Sequence, residues 1–113
     1  MSATSLAEAK LVQSAGADFI VAQGFEAGGH RGIFEPDASD DKLGISELVE
    51  ELTDNCGLPV IASGGIMHGR DIASIMRQGA DAVQMGSAFL TVDECGSHVA
   101  YRCLLYTSDA ADE

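Results

Sequence analysis

Apolar residues at Ala7, Leu11, Val12 and Ala15 recur at the spacing of a helix with one buried stripe. Ahead of them, Ser5-Leu6-Ala7-Glu8 fits a capping box, in which Ser5 caps the helix start and Glu8 reaches back to it. Gly16 closes this helix as a left-handed cap. Asp18-Phe19-Ile20-Val21-Ala22-Gln23 follows, a nearly continuous apolar run that predicts a strand buried on both faces, as in parallel sheets. From Gly24 to Gly44 the pattern dissolves into a long loop rich in Gly and Asp. Loops of that length in compact domains are uncommon and often functional. Leu48, Val49 and Leu52 then mark a helix over Ser46–Asn55, closed by Gly57. Pro59-Val60-Ile61-Ala62-Ser63 predicts a second buried strand, with Pro tolerated at its first position. Ile72, Ile75 and Met76 mark a third helix that stops at Gly79, and Ala82-Val83-Gln84-Met85 makes a third strand.

Helices and strands in strict alternation predict a parallel α/β fold. Three strands do not close an eight-stranded α/β barrel, which takes about 250 residues. The pattern is that of a half-barrel or an incomplete doubly wound sheet. Residues 1–102 carry it. After Arg102 the periodicity stops, and residues 103–113 read as a non-native or disordered tail, similar to a translated sequencing adapter.

The 113 residues allow one domain. At 46% hydrophobic and 21% charged the chain is globular in composition. A net charge of −12, with only six scattered Lys and Arg, excludes nucleic acid and anionic membrane as partners. No apolar run approaches the length of a membrane span. Three cysteines without CxxC spacing, Cys56, Cys95 and Cys103, read as reduced thiols of a cytoplasmic protein. Cys56 and Cys95 have no basic neighbour in sequence and are read as unreactive.

The three strands each run into a Gly-bearing turn: Gln23-Gly24, Ser63-Gly64-Gly65 and Met85-Gly86-Ser87. In parallel α/β folds these ends share one face, and that face carries the ligand site. Glycine there lets backbone N–H groups approach a ligand, and the two later turns together with the Ser87 hydroxyl suit one phosphate. The first turn opens the long loop, which reads Ala27-Gly28-Gly29-His30-Arg31-Gly32. Glycines offer His30 no apolar wall, so it is read as a proton-transfer group rather than a packed core residue; the alternative is a surface histidine. Arg31 is read either as the holder of an anionic substrate or as a salt-bridge partner of Glu35 or Asp37. Glu26 is read as a loop anchor, and Asp37-Ala38-Ser39-Asp40-Asp41 as a solvated turn. Met67, Met76 and Met85 are assigned to the core. No metal site is expected, since His68 and His98 lack ligand spacing from His30.

Three segments resemble the nitronate monooxygenases: Ala22-Gln23-Gly24-Phe25-Glu26-Ala27-Gly28-Gly29-His30-Arg31-Gly32, Pro59-Val60-Ile61-Ala62-Ser63-Gly64-Gly65-Ile66 and Gln84-Met85-Gly86-Ser87-Ala88-Phe89. The resemblance implies a partial TIM (β/α)8 barrel, of which this chain supplies about the last three strands with their helices. Met1 to Thr4 would then be the end of the preceding strand. It also implies FMN as cofactor and oxidation of alkyl nitronates, or nitroalkanes, with O2. By matching motif positions, Gln23 and Gly28 would contact FMN. Its phosphate would lie on Gly65, Gln84, Met85, Gly86 and Ser87, with Gly64 also in the cofactor site, and His30 would be the catalytic base. The flavin-dependent enoyl-acyl carrier protein reductases share the glycine–histidine loop and both turns, and their reaction is the alternative. A second alternative is an inactive half-barrel that only binds phosphate.

Overall fold

Residues 1–27, 31–35, 37 and 39–100 are described by the computed structural model. They form β1 (Ser2–Ala3), α1 (Leu6–Ser14), β2 (Ile20–Gln23), α2 (Ile45–Asn55), β3 (Val60–Ser63), α3 (Gly69–Arg77) and β4 (Ala82–Gln84), followed by a single 3-10 turn over Ser87–Phe89. The strands lie in the order β1-β2-β3-β4, every neighbouring pair parallel. A doubly wound sheet reverses its strand order part-way and places helices on both faces. Here the order never reverses, and residues of all three helices join one core cluster with the strands. The sheet is an arc of a (β/α)8 barrel. The expected end of a preceding strand is present as β1, whose Ser2 and Ala3 pair with Val21 and Ala22.

Packing follows from the alternation along each strand. Ala3, Ile20, Ala22, Val60 and Ala62 turn to the helix side and are fully buried against Val12, Leu48, Val49 and Leu52. Each buried Val, Leu or Ile contributes about 1.5–3 kcal/mol relative to exposure. Alanine at three of the strand positions leaves room for the helices to lie close. The opposite face carries Ser2, Val21, Ile61 and Ala82 in one cross-strand row, and all are half-buried or exposed. Burial on both faces, expected from the apolar runs, is thus met on one face only. In a closed barrel the second face is the interior and is filled by side chains from the other strands. The four strands here leave it uncovered.

Helix α1 corrects the sequence reading twice. Its buried positions are Glu8, Ala9 and Val12, whereas Ala7, Leu11 and Ala15 of the expected stripe are exposed. Leu11 and Ala7 instead border a shallow groove of about 240 Å³ with Ile33 and Phe34. Only half of the capping box forms: Ser5 Oγ accepts from Glu8 N at 3.2 Å, but the Glu8 carboxylate bonds elsewhere. Gly16 takes the expected left-handed conformation at φ +86°. Met76 is 42% exposed rather than core, and Met67 and Met85 are half-buried, Met85 against the core.

At the start of α3, Asp71 Oδ2 accepts from the backbone N–H of His68 at 2.9 Å and of Met67 at 3.2 Å. Those two bonds, aided by the charges of His68 and Arg70, hold the Asp71 carboxyl below its ordinary value of 3.8. A carboxyl with a depressed folded-state pKa contributes its full stability above the unfolded value and loses it as pH falls through the folded value. Asp71→Asn is therefore expected to lower stability more at neutral pH than at an acid pH below the ordinary carboxylate value. Thermal unfolding at both pH values checks this; an equal loss at both would contradict it. Asp81 locks the other side of the sheet, accepting from Val60 N at 2.9 Å and donating its own N–H to Val60 O at 2.8 Å.

Candidate functional site

Register places the predicted strand-end residues side by side. Gln23 pairs with Ser63, and Ser63 with Gln84, so the three form a row across β2, β3 and β4 at their C-terminal ends. The turns that follow belong to the same edge. Gly64 and Gly65 are both left-handed, at φ +112° and +69°. A Cβ on Gly64 would lie 2.9 Å from Ala27 N and 3.2 Å from Ala27 Cα, so the loop after β2 rests directly on the turn after β3. Glycine adopts both of these left-handed conformations without the strain a side chain would bring.

On the neighbouring strand Gly86 is exposed, and a Cβ built there would meet nothing within 4 Å. Ser87 heads the 3-10 turn that Phe89 N closes onto Gly86 O at 3.0 Å. Gln84 and Ser87 are exposed, while Met85 reaches the core. Gln23, Gly64, Gly65, Gln84, Met85, Gly86 and Ser87 are thus brought to one end of the sheet. Gly28 and His30 lie outside the described residues; Ala27, the residue before Gly28, is the one that touches Gly64.

The long loop is tied down by side chains at both limbs. Gly24 continues the ladder through a 2.9 Å bond from its N–H to Ser63 O, and a Cβ there would come within 2.8 Å of Ile45 Cα. Glu26 is the loop anchor expected of it. Its carboxylate accepts from Ile45 N at 2.9 and 3.2 Å, capping α2, whose own N-cap Gly44 has no side chain to offer. Glu26→Ala is expected to cost about 1 kcal/mol, the usual value of an N-terminal cap, in chemical denaturation. A cost near zero would show that solvent replaces the carboxylate.

Beyond His30, the Gln23 side chain holds the loop: its Oε1 accepts from Gly32 N at 2.7 Å. Arg31 forms an ion pair, as one of its two readings required, but with Asp40 instead of Glu35 or Asp37. Its guanidinium also lies 5.4 Å from the Phe25 ring centroid, with Lys42 at 5.9 Å from the same ring. The hydrogen bond from Arg31, then one from Lys42 N, holds the Asp40 carboxyl below its ordinary value. Among the described residues, Arg31 Nε and Nη2 are buried without a hydrogen-bond partner. Asp40, read as part of a solvated turn, is therefore a structural brace.

The long-range hydrogen bonding of Glu8 was missed by the sequence reading. Glu8 is 8% exposed, and its Oε1 accepts from Thr4 N at 2.7 Å and from Thr4 Oγ1. Its Oε2 accepts from Phe34 N at 2.7 Å, across 26 residues. A glutamate three residues after a serine signals a cap, and nothing local signals a reach of that length. Cys56 and Cys95 are half-buried, with no disulfide among the described residues, and Cys95 Sγ donates to Ser97 Oγ at 3.2 Å; Cys103 lies outside the described residues, as does the whole of 103–113. Among the described residues no cluster of three metal-ligating side chains occurs, and no helix is long and apolar enough to cross a membrane.

A family model described as nitronate monooxygenase matches residues 1–112. The nitronate monooxygenase of Paraburkholderia phytofirmans is 54% identical over 101 residues, covering 89% of this chain and 28% of the relative. That of Pseudomonas aeruginosa is 53% identical over 100 residues, covering 88% and 28%. The structure of a nitroalkane oxidase from Streptomyces ansochromogenes superposes with a TM-score of 0.86 at 43% identity, over 92% of this chain and 30% of that one. FabK from Thermotoga maritima gives 0.81 at 34% identity, over 95% and 32%. The chain spans under a third of the length of each of these proteins. With its motifs, its strand order and its match along nearly the whole sequence, the chain belongs to the nitronate monooxygenase family.

Proposed function

We propose that the complete protein, this chain together with the remainder of the barrel that its relatives possess, is an FMN-dependent nitronate monooxygenase. It oxidises alkyl nitronates, or nitroalkanes, with O2. The observation that carries the reading is the placement of two glycine turns, Gly64-Gly65 and Gly86-Ser87, directly after adjacent strands whose last residues are in register. The left-handed pair at Gly64-Gly65 and the open space above Gly86 fit a phosphate, because each lets backbone N–H groups come close where a Cβ would intrude. Gly64, Gly65, Gln84, Met85, Gly86 and Ser87 would hold the FMN phosphate, with Gln23 and Gly28 against the rest of the cofactor. FMN, when bound, supplies the electron chemistry with O2.

The chain's own contribution is binding and proton handling. Gln23 holds the loop in place through its carbonyl oxygen, which accepts from Gly32 N. His30 takes the α-proton of a neutral nitroalkane on an imidazole nitrogen, or holds a nitronate already formed. Residues 1–102 form the functional arc and 103–113 stand outside it. The uncovered Val21 and Ile61 face leaves the site open to water, so turnover belongs to the complete barrel and the 113-residue chain alone is inactive. A cytoplasmic location is part of this reading, supported by three cysteines without CxxC spacing.

Oxygen uptake by the complete protein with propyl 2-nitronate tests the reading, run beside NADH consumption with crotonyl thioester. Nitronate-dependent uptake without thioester reduction is expected. NADH consumption with the thioester, and no nitronate oxidation, would transfer the protein to the enoyl reductase reaction.

A further inference from the structure

We propose that Glu8 is a positioning residue for this reaction, acting through the segment that leads away from His30; the proposal rests on the nitronate reading above. Gly28, Gly29 and Gly32 surround the histidine in sequence. Glycine is the residue type that restrains its own backbone least. Three side chains hold the described residues that follow. Asp40 pairs with Arg31, Gln23 accepts from Gly32 N, and Glu8 accepts from Phe34 N.

Glu8 differs from the other two in its footing. It sits within α1, 8% exposed, with no cation paired to it among the described residues. A buried carboxylate is costly unless its hydrogen bonds are met. Here the donors are Thr4 N, Thr4 Oγ1 and Phe34 N, so one carboxylate joins the end of β1, the helix and the loop. Bonds to an ionised acceptor are roughly twice as strong as neutral ones. Such a link suits a loop whose place must be reproducible to a fraction of an ångström.

The test uses the complete, FMN-loaded protein. In Glu8→Gln one terminal atom becomes a donor, so the side chain satisfies Thr4 or Phe34 N but not both. The expected result is a kcat lower by about 10- to 100-fold, the usual cost of misplacing a catalytic group, with KM and FMN affinity unchanged. Amide exchange over residues 31–34 should quicken about tenfold, as expected for one lost hydrogen bond. Phe34→Pro removes the same bond from the loop side, leaves the Thr4 bonds in place, and should reproduce the loss. Thr4→Val, which deletes only the hydroxyl donor, should lower Tm and leave kcat alone. The proposal is overturned if Glu8→Gln or Phe34→Pro keeps the wild-type kcat, or if exchange is unchanged. It is also overturned if kcat merely tracks Tm across the three variants. A wild-type protein that oxidises no nitronate would sink the functional reading itself, a result distinct from any of these.

Discussion

His30→Asn in the complete, FMN-loaded protein is expected to lower kcat on a neutral nitroalkane by about 10²- to 10⁴-fold, the range for a lost general base. The loss on a preformed nitronate should be smaller, because that substrate has already given up its α-proton. This contrast separates the two roles open to the residue. A base is needed only where a C–H bond must be broken. A residue that holds the anion affects both substrates, and mainly through KM. In the wild type, kcat/KM on the nitroalkane should also fall on the acid side, where a protonated imidazole has no lone pair left to take the proton. Equal losses on the two substrates, or a flat pH profile, would remove the base and leave His30 as a binding group.

Gly64→Ala has the next largest expected effect, and it acts on fold and site together. A side chain at φ +112° is strained by about 1–3 kcal/mol before any contact is considered. The new methyl would also meet Ala27 N at 2.9 Å and Ala27 Cα at 3.2 Å, both backbone atoms that move only if the loop moves. The loop that carries His30 in sequence is thereby pushed off the turn. Stability should drop by about 2 kcal/mol or more, and FMN affinity more than tenfold. Gly86→Ala provides the contrast. Its φ is −120° and its surroundings are open, so the fold should tolerate the methyl. Any loss of FMN affinity at Gly86 then reports on the ligand alone. A Gly64→Ala protein with wild-type stability and affinity would show that the contact between the two turns has no role.

The alternating architecture was legible because each element carries its own local signal. Leu48, Val49 and Leu52 lie on one face of α2 and all are fully buried, as their spacing predicts. Gly16 and Gly79 end α1 and α3 in left-handed conformations that other residues adopt reluctantly. The strand-end turns were legible for the same reason, since glycines directly after β-branched runs have few other uses. The face of α1 was not legible, because Ala7, Ala9 and Ala15 weigh almost equally in any apolar stripe and the tertiary contacts of Glu8 decide the rotation. The open face of the sheet was not legible either. Val21 and Ile61 are apolar as a barrel interior requires, and sequence alone does not tell whether that interior is filled. Arg31 chose Asp40 over Glu35 and Asp37 because the loop folds back on Phe25, a fact with no sequence spacing attached to it.

The central claim is that the C-terminal edge of this sheet holds FMN by its phosphate. Titrating the complete apoprotein with FMN and with riboflavin, followed by flavin fluorescence, tests it most directly. The two ligands share the isoalloxazine ring and differ in the phosphate. FMN is expected to bind at least about 100-fold more tightly, since a phosphate on several charge-assisted N–H bonds is worth roughly 3 kcal/mol or more. Equal affinity for the two flavins, or none for either, would contradict the account.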